Sequence, residues 1–235
     1  FTDVSVETGA YQELDAMGLA VGDFDNDLDL DIHVTDKIDS KLLELTALGT
    51  FNEIGTQRGV DFSLGFGWGT NFFDADLDGD EDLYVSGSYF PIGASEPSVM
   101  YVNDGSGNFT GTLIGADSAY SFTNAIGDFN NDRKTDIAVL NSNNDPMKLW
   151  VNETNTNSLS FTLKLDGCQT NKEAAGSKVI AYDGGQSRLY SYHISQSFLG
   201  QNSDKKIIPI LNGTSLDSLK VIWPAGNSSL INEIS

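Results

Sequence analysis

The sequence predicts an all-β protein, because short strand-like segments alternate with turn signals along its 235 residues. The apolar segments are rich in β-branched and aromatic residues, and clusters of Gly, Asn and Asp bound them. No sustained helical periodicity interrupts this alternation. An acidic nonapeptide also occurs three times, at intervals of 51 and 54 residues. That period is typical of propeller blades or another β array.

Each nonapeptide follows the pattern D-x-[DN]-x-D-x-x-x-D, and we name residues 23–31 loop 1, residues 74–82 loop 2 and residues 128–136 loop 3. Positions 1, 3, 5 and 9 supply side-chain oxygens, and position 7 can supply a backbone carbonyl. Carboxylates this close together repel one another unless a hard cation lies among them, and an all-oxygen set suits calcium better than zinc or magnesium. The sequence therefore predicts up to three Ca²⁺ ions. The candidate ligand residues are Asp23, Asp25, Asp27, Asp29, Asp31, Asp74, Asp76, Asp78, Asp80, Asp82, Asp128, Asn130, Asp132, Lys134 and Asp136.

The loops resemble only the first part of an EF-hand loop. An EF-hand needs a bidentate Glu at position 12, where this chain has Val34, Val85 and Val139. Each loop also runs into a segment that is predicted to be a strand, not a helix. A solvated acidic surface loop is the alternative, and three copies with the same Asp spacing argue against it.

Each repeat has its elements in the same order. A strand of small and apolar residues precedes each loop, and a second strand follows it. A turn signal between two further strands comes later, as at Asn103–Gly107. Phe1–Val4 is interpreted as the outgoing strand of an earlier repeat. The predicted strand pairs are 18–22 with 31–34, 69–73 with 82–85, and 123–127 with 136–139.

The charge distribution predicts two domains of different character. Residues 1–155 contain 28 acidic and 6 basic residues, whereas the remainder contains 6 acidic and 7 basic residues. We place the boundary between a repeat domain, residues 1–154, and a β-rich domain, residues 155–235. Nucleic acid is disfavoured as a partner because phosphate binding needs clustered Lys and Arg. No apolar run approaches the roughly 18 residues that membrane insertion requires.

The motifs together carry a family resemblance. Gly22–Asp27 and Tyr101–Gly105 resemble the FG-GAP/VCBS repeat of integrin-like β-propellers. Gly176–Val179, Ser197–Asn202 and Val221–Gly226 follow one another in the order seen in the ASPIC/UnbV domain. The chain is thus similar to the C-terminal portion of the cartilage acidic protein family and its bacterial relatives. The resemblance implies part of a propeller with calcium-binding loops, followed by an ASPIC/UnbV-like domain.

The repeats depart from that family's pattern in two ways. Position 6 is usually Gly, which allows a tight turn with positive φ, but only Gly79 fits, and Leu28 and Arg133 do not. Loop 3 also has Asn130 at position 3, which lowers its charge. Loop 2 is therefore predicted to bind calcium most tightly and loop 3 most weakly. Three blades cannot close a ring, so we expect further repeats or another partner at the open sides.

Other candidate sites are weaker. His33 and His193 lie in predicted strands without converging partners, and no catalytic motif is present, so we expect no enzymatic activity. Tyr89 and Phe90 in the segment 87–97 could contact a partner or could pin the segment to its own sheet. Trp68 and Trp223 are interpreted as packing residues, and the lone Cys168 is interpreted as a buried apolar residue. Four glycosylation sequons, at Asn108, Asn152, Asn212 and Asn227, are about as many as chance would give.

Loops of this kind bind calcium at the millimolar levels found outside cells. The sequence therefore predicts an extracellular, secreted or cell-surface binding or adhesion module that presents loops to a protein or a glycan. Two alternatives remain open. One is a subunit of a fibre or surface layer whose open edges join neighbouring chains, and the other is part of an enzyme that acts on polysaccharide.

Overall fold

The computed structural model describes residues 1–60, 66–88, 98–115, 119–167, 171–193 and 195–234. Within them the chain is nearly all β, which confirms the predicted fold class, and its two helices have four residues each. No helix among these residues is long and apolar enough to cross a membrane. The helices are α1 (Ser5–Thr8) and α2 (Gly55–Arg58), and the strands are β1 (Leu19–Gly22), β2 (Asp31–Val34), β3 (Lys41–Leu45), β4 (Phe51–Glu53), β5 (Phe66–Phe73), β6 (Asp82–Ser88), β7 (Val99–Asn103), β8 (Phe109–Leu113), β9 (Ser121–Gly127), β10 (Asp136–Asn141), β11 (Lys148–Trp150), β12 (Leu159–Lys164), β13 (Ser177–Asp183), β14 (Gln186–Tyr192), β15 (Lys205–Ile210), β16 (Leu216–Ile222) and β17 (Ser228–Ile234).

Three antiparallel sheets form the first part of the chain. Strands β1–β4 form the first sheet, β5–β8 the second and β9–β11 the third, each in sequence order. In every sheet the acidic loop joins the first two strands in the same register. The residue before the loop pairs with position 9, as Gly22 does with Asp31, Phe73 with Asp82, and Gly127 with Asp136.

Two apolar cores hold these sheets together. Phe24 of loop 1 and Leu42 of β3 pack with Phe72, Leu83 and other residues of the second sheet. A second core lies between the second and third sheets and includes Tyr84, Met100, Ile137 and Val139. Burial of these side chains is the main favourable term for this arrangement.

The last two sheets enclose a third core. Strands β12 and β15 form one sheet, and the other has the order β14-β13-β16-β17. Side chains from both sheets, such as Ile208 and Val221, are fully buried between them. Because β12 begins at Leu159, the strands of this unit start shortly after the predicted boundary at residues 154/155.

One segment of the C-terminal unit, residues 195–203, lies across the first strands of the three sheets. The Ser197 amide donates to the Leu19 carbonyl (3.0 Å), and the Ser203 amide donates to the Ile126 carbonyl (2.9 Å). The Phe198 ring meets the Trp68 ring at 5.0 Å in an edge geometry. The segment therefore ties together strands from the first, second and third sheets.

Some predictions about local structure are wrong, and others concern residues outside the described ranges. Phe1–Val4 forms no strand, and Val4 instead precedes helix α1. The similar sequence Phe51–Glu53 becomes β4 because β3 lies beside it as a pairing partner. His193 follows β14 instead of lying in it. Cys168, Tyr89 and Phe90 lie outside the described residues.

Candidate metal centre

The three acidic loops share one backbone conformation. Positions 4 and 6 have positive φ in every copy, and only one of these six residues is glycine. Leu28 and Arg133 therefore adopt the left-handed conformation at position 6 despite their side chains, contrary to the expectation from sequence. Such residues cost about 1 kcal/mol or more each. The φ angles at positions 4 and 6 are 59° at Asn26 and 73° at Leu28, 61° at Leu77 and 95° at Gly79, and 61° at Asn131 and 66° at Arg133.

The carboxylate at position 1 organises each turn. Asp23 accepts hydrogen bonds from the backbone amides of Asp27 and Leu28 (3.0 and 3.1 Å). Asp74 accepts from Leu77 and Gly79 (2.7 and 3.0 Å). In loop 3 the carboxylate of Asp128 likewise accepts hydrogen bonds from the backbone amides of Asp132 and Arg133. Because these bonds orient the carboxylate, the other ligand groups of the loop are brought close to it.

Positions 1, 3 and 5 converge in the first two loops. One carboxylate oxygen from each of Asp23, Asp25 and Asp27 lies within 4.8 Å of the others, and the same holds for Asp74, Asp76 and Asp78. Ligand oxygens on opposite sides of a Ca²⁺ ion lie about 4.6–5.2 Å apart, given Ca–O distances of roughly 2.3–2.6 Å. The donor set and its spacing therefore fit calcium.

Buried oxygens without partners also support a cation. Oδ1 of Asp25, Oδ1 of Asp29 and Oδ1 of Asp76 are buried and accept no hydrogen bond within the described part of the chain. A buried carboxylate oxygen without a donor is costly. A bound cation at loops 1 and 2 would satisfy the oxygens of Asp25 and Asp76, which belong to the three-carboxylate groups.

Position 7 folds back on position 5 in all three loops. The amides of Asp29, Asp80 and Lys134 each donate a 3.0 Å hydrogen bond to the position 5 carboxylate. The side chains of Asp80 and Lys134 take other roles, and that of Asp80 accepts a hydrogen bond from Asn26. The Lys134 ammonium donates to the Thr154 carbonyl (2.7 Å), so only the backbone carbonyl of Lys134 is available as a ligand.

Position 9 lies outside the three-oxygen groups and joins strands. Asp82 accepts from the amide of Ala75 (2.9 Å) and from the amide of Asn103 at the end of β7 (2.8 Å). Asp31 and Asp136 make the equivalent pairs of bonds in the other loops. The position 9 carboxylate therefore braces the loop against the third strand of its own sheet.

Loop 3 differs from the other two loops. Asn130 replaces a carboxylate, and its amide nitrogen donates to Asp132 (3.0 Å). At position 1, Asp128 of loop 3 is half-buried and residues 129–133 after it are exposed, whereas Asp23 and Asp74 are buried. Loop 3 therefore offers a cation less negative charge and more competition from water, in line with its predicted rank.

Without a cation the buried carboxylates favour their protonated forms. Burial, and then the neighbouring Glu81, raises the pKa of Asp23 to about 8. Burial likewise raises the pKa of Asp31 to about 8 and that of Asp82 to about 7, and it raises the pKa of Asp74 well above its usual value. A divalent cation would favour the ionised forms instead.

Sequence reasoning missed several contacts around the loops. Glu44 in β3 lies beside the Asp25 carboxylate, and the Asn26 side chain donates to Asp80 of the neighbouring loop (2.5 Å). Arg188 of β14 packs against Gly79, where an added Cβ would lie 2.3 Å from its Nε. No local sequence signal marks Glu44 or Arg188, because both reach the loops through the tertiary fold.

The remaining candidate residues have packing roles. His33 is fully buried beside Thr70 (Nδ1 to Oγ1, 2.8 Å), and burial lowers its pKa to about 3. Trp68 stacks on Phe122 with ring centroids 4.4 Å apart. Trp223 packs against the C-terminal core. These contacts confirm that Trp68 and Trp223 are packing residues.

Comparison with known proteins identifies one part of the chain. Residues 167–235 match the family model described as ASPIC and UnbV. The match covers less than a third of the chain and confirms the resemblance of the C-terminal domain. No curated protein matches the chain. The three acidic loops lie outside the matched range, so their interpretation rests on their own geometry.

Proposed function

We propose that the chain is a calcium-stabilised binding module whose acidic loops lock a β-sheet array, of the integrin-like propeller type, into a rigid surface. The observation that carries this proposal is the repeated loop geometry. Three loops place left-handed residues at positions 4 and 6, and two of them bring three carboxylates within 4.8 Å. Bound Ca²⁺ would neutralise the carboxylates and satisfy their buried oxygens.

The effect of each loop on its sheet follows from the position 9 brace. Position 1 fixes the turn, and position 9 links that turn to the end of the third strand. A loop held in this conformation therefore fixes the hairpin between the first two strands and also the strand beyond them. Loss of this order would loosen the exposed ends of the sheet, where partners are expected to bind.

An extracellular setting is part of the same proposal. Loops of this class bind calcium at the concentrations found outside cells, and a net charge of −21 disfavours anionic partners. We therefore propose a secreted or cell-surface module that binds a protein or a glycan. Isothermal titration of the metal-free chain with CaCl₂ tests the first step, and a glycan array in calcium and in chelator tests the second.

A second candidate, a subunit of an assembly, is favoured by one surface. The outer face of the third sheet exposes Phe129, Leu140, Leu149 and Val151, each 45–52% exposed. The corresponding faces of the first two sheets are covered by the next sheet. An additional sheet, from another repeat or another copy of the chain, would cover this face. Sedimentation at increasing protein concentration, with Leu149→Ser as the comparison, separates assembly from a monomeric module.

A further inference from the structure

A cleft of about 250 Å³ opens between the second and third sheets. Its apolar lining includes Ala75, Met100, Val102, Ile137 and Trp150. Ala75 is position 2 of loop 2, and the other four residues belong to β7, β10 and β11. The cleft therefore lies within the apolar space that joins these two sheets.

The equivalent space between the first and second sheets is filled. Phe24, at position 2 of loop 1, is fully buried there, and its ring lies 5.7 Å from the Phe109 ring. Phe24 and Ala75 are held in the same way. The Asn103 side chain donates to the Phe24 carbonyl (2.7 Å), and the Asn152 side chain donates to the Ala75 carbonyl (2.6 Å). The backbone is thus repeated, but the ring at position 2 is replaced by a methyl group.

The second ring also lacks a counterpart. Phe109 begins β8, the fourth strand of the second sheet. The third sheet has three strands. Phe109 lies six residues after Asn103, and the sixth residue after Asn152 is Ser158, directly before Leu159, which begins β12 and pairs with Ile210 of the C-terminal unit. Two aromatic rings fill the first space, and neither is present in the second.

Charge around the cleft selects the type of ligand. The charged residues among its described lining are the carboxylates Asp76, Asp82 and Glu153. Loop 2 carries six acidic residues, so one Ca²⁺ ion leaves it with a formal charge of about −4. Two ammonium groups from outside the lining lie beside it, but they are fewer than the three carboxylates: that of Lys134 donates to the carbonyl of the lining residue Thr154 (2.7 Å), and that of Lys148 lies 5.5 Å from the centroid of the Trp150 ring. A cationic group is therefore favoured at the rim and an anionic group is disfavoured.

We propose that this cleft binds a small aromatic amine. The ring would lie in the space equivalent to the one that Phe24 and Phe109 fill between the first two sheets, and the ammonium group would lie near Glu153. An apolar cavity of about 150 Å³ is enough to hold benzene. A volume of about 250 Å³ therefore accommodates one ring with a short side chain. This site is additional to the calcium loops and would make the module a receptor for a small molecule.

Calorimetric titration of the calcium-loaded chain with phenethylamine tests the proposal, with 3-phenylpropionate as the anionic comparison. We expect saturable binding of the amine at one site and at least tenfold weaker binding of the acid. Ala75→Phe restores the ring found in loop 1 and should weaken amine binding at least tenfold. Ala225→Phe adds a ring at an exposed turn and should leave binding unchanged. If Ala75→Phe does not fold, Ala75→Leu serves in its place.

The reciprocal variant strengthens the test. Phe24→Ala opens the equivalent space between the first two sheets and should add a second, weaker site for the same amine. Absence of amine binding to the wild-type chain would overturn the proposal, as would equal binding by Ala75→Phe. Binding only of an aromatic peptide, with no binding of the free amine, would also overturn it. Calcium titration of the same samples is a separate readout, so failure of the cleft and failure of the calcium loops are distinguishable.

Discussion

The Glu81 carboxylate accepts a 3.0 Å hydrogen bond from the backbone amide of Asp23, so loop 2 is joined directly to the first ligand residue of loop 1. The contact is possible because Gly22 has no side chain, since a Cβ there would lie 2.3 Å from Glu81 Oε2. Glu81 is only 4% exposed. Burial raises its pKa, and Lys206 of the C-terminal unit opposes that change. Three parts of the chain therefore meet at one carboxylate.

Glu81→Ala should destabilise the chain by about 1–3 kcal/mol, because it leaves the buried Asp23 amide without an acceptor. It should also weaken calcium binding at loop 1, although Glu81 lies in loop 2. Glu81→Gln keeps an amide oxygen at the same place and should cost less than half as much. Urea denaturation in calcium measures both variants. Equal losses for Ala and Gln would show that the hydrogen bond is not what stabilises this junction.

Asp82→Ala and Asp78→Ala should separate the two roles of the acidic residues, which are the hydrogen bonding of strands at position 9 and the proposed binding of calcium at position 5. Asp82 accepts two backbone amides, so its loss should cost about 1–3 kcal/mol both in calcium and in chelator. Asp78 is exposed and belongs to the three-oxygen group, so its loss should reduce stability in calcium and change it little in chelator. Thermal melts of both variants under both conditions provide the comparison. The interpretation of position 9 as a brace is contradicted if Asp82→Ala matters only when calcium is present.

Leu28→Gly should stabilise the metal-free chain by about 0.5–1 kcal/mol, because Leu28 has φ of 73° and is 37% exposed. Gly occupies this conformation without strain and loses little packing. Leu48→Gly is a suitable control, since Leu48 is 90% exposed and is not among the residues with positive φ. It should be neutral or destabilising. A lower melting temperature for Leu28→Gly than for Leu48→Gly would contradict the inference that the backbone of Leu28 is strained at position 6.

Stability of the metal-free chain should fall as the pH rises from about 4 to 8. Burial raises the pKa of Asp23 and Asp31 to about 8 and that of Asp82 to about 7, from 3.8. In this range the folded chain holds protons that the unfolded chain has released, so the free energy of unfolding decreases with pH. We expect a loss of at least about 1 kcal/mol between pH 5 and 8.

Urea denaturation of protein stripped on a chelating resin measures this dependence. In saturating calcium the trend should weaken or reverse, because protons compete with the cation for the same oxygens. Metal-free stability that increases steadily from pH 5 to 8 would contradict the burial of these carboxylates.

The parts of the fold that depend on local sequence could be predicted. The strands that flank each loop and the Asn103–Gly107 turn follow from residue types and spacing, and the structure has them at the expected positions. Phe1–Val4 was predicted incorrectly as a strand, because strand formation needs a neighbouring strand as well as a suitable sequence. The ligand residues were grouped by spacing alone, and the structure brings together the carboxylates at positions 1, 3 and 5 of loops 1 and 2.

Contacts between distant parts of the chain could not be predicted in the same way. Glu81 meets Asp23 across 58 residues, and Asn202 meets Asn71 across 131 residues. The brace formed by Asp82 depends on where β7 ends, and the cleft beside Ala75 depends on which strands stack. Repeat alignment shows that Ala75 replaces Phe24, but only the packing of the sheets shows that space results.

The central claim is that calcium held by the acidic loops stabilises the sheets, and a calorimetric melt with and without chelator tests it most directly. Wild-type chain in millimolar calcium should unfold at least about 10 °C higher than in chelator, since each kcal/mol of binding free energy raises the melting temperature of a chain this size by about 2–4 °C. Asp78→Ala, which removes one ligand of one loop, should show a smaller difference. Identical melts of the wild-type chain in calcium and in chelator would contradict the claim.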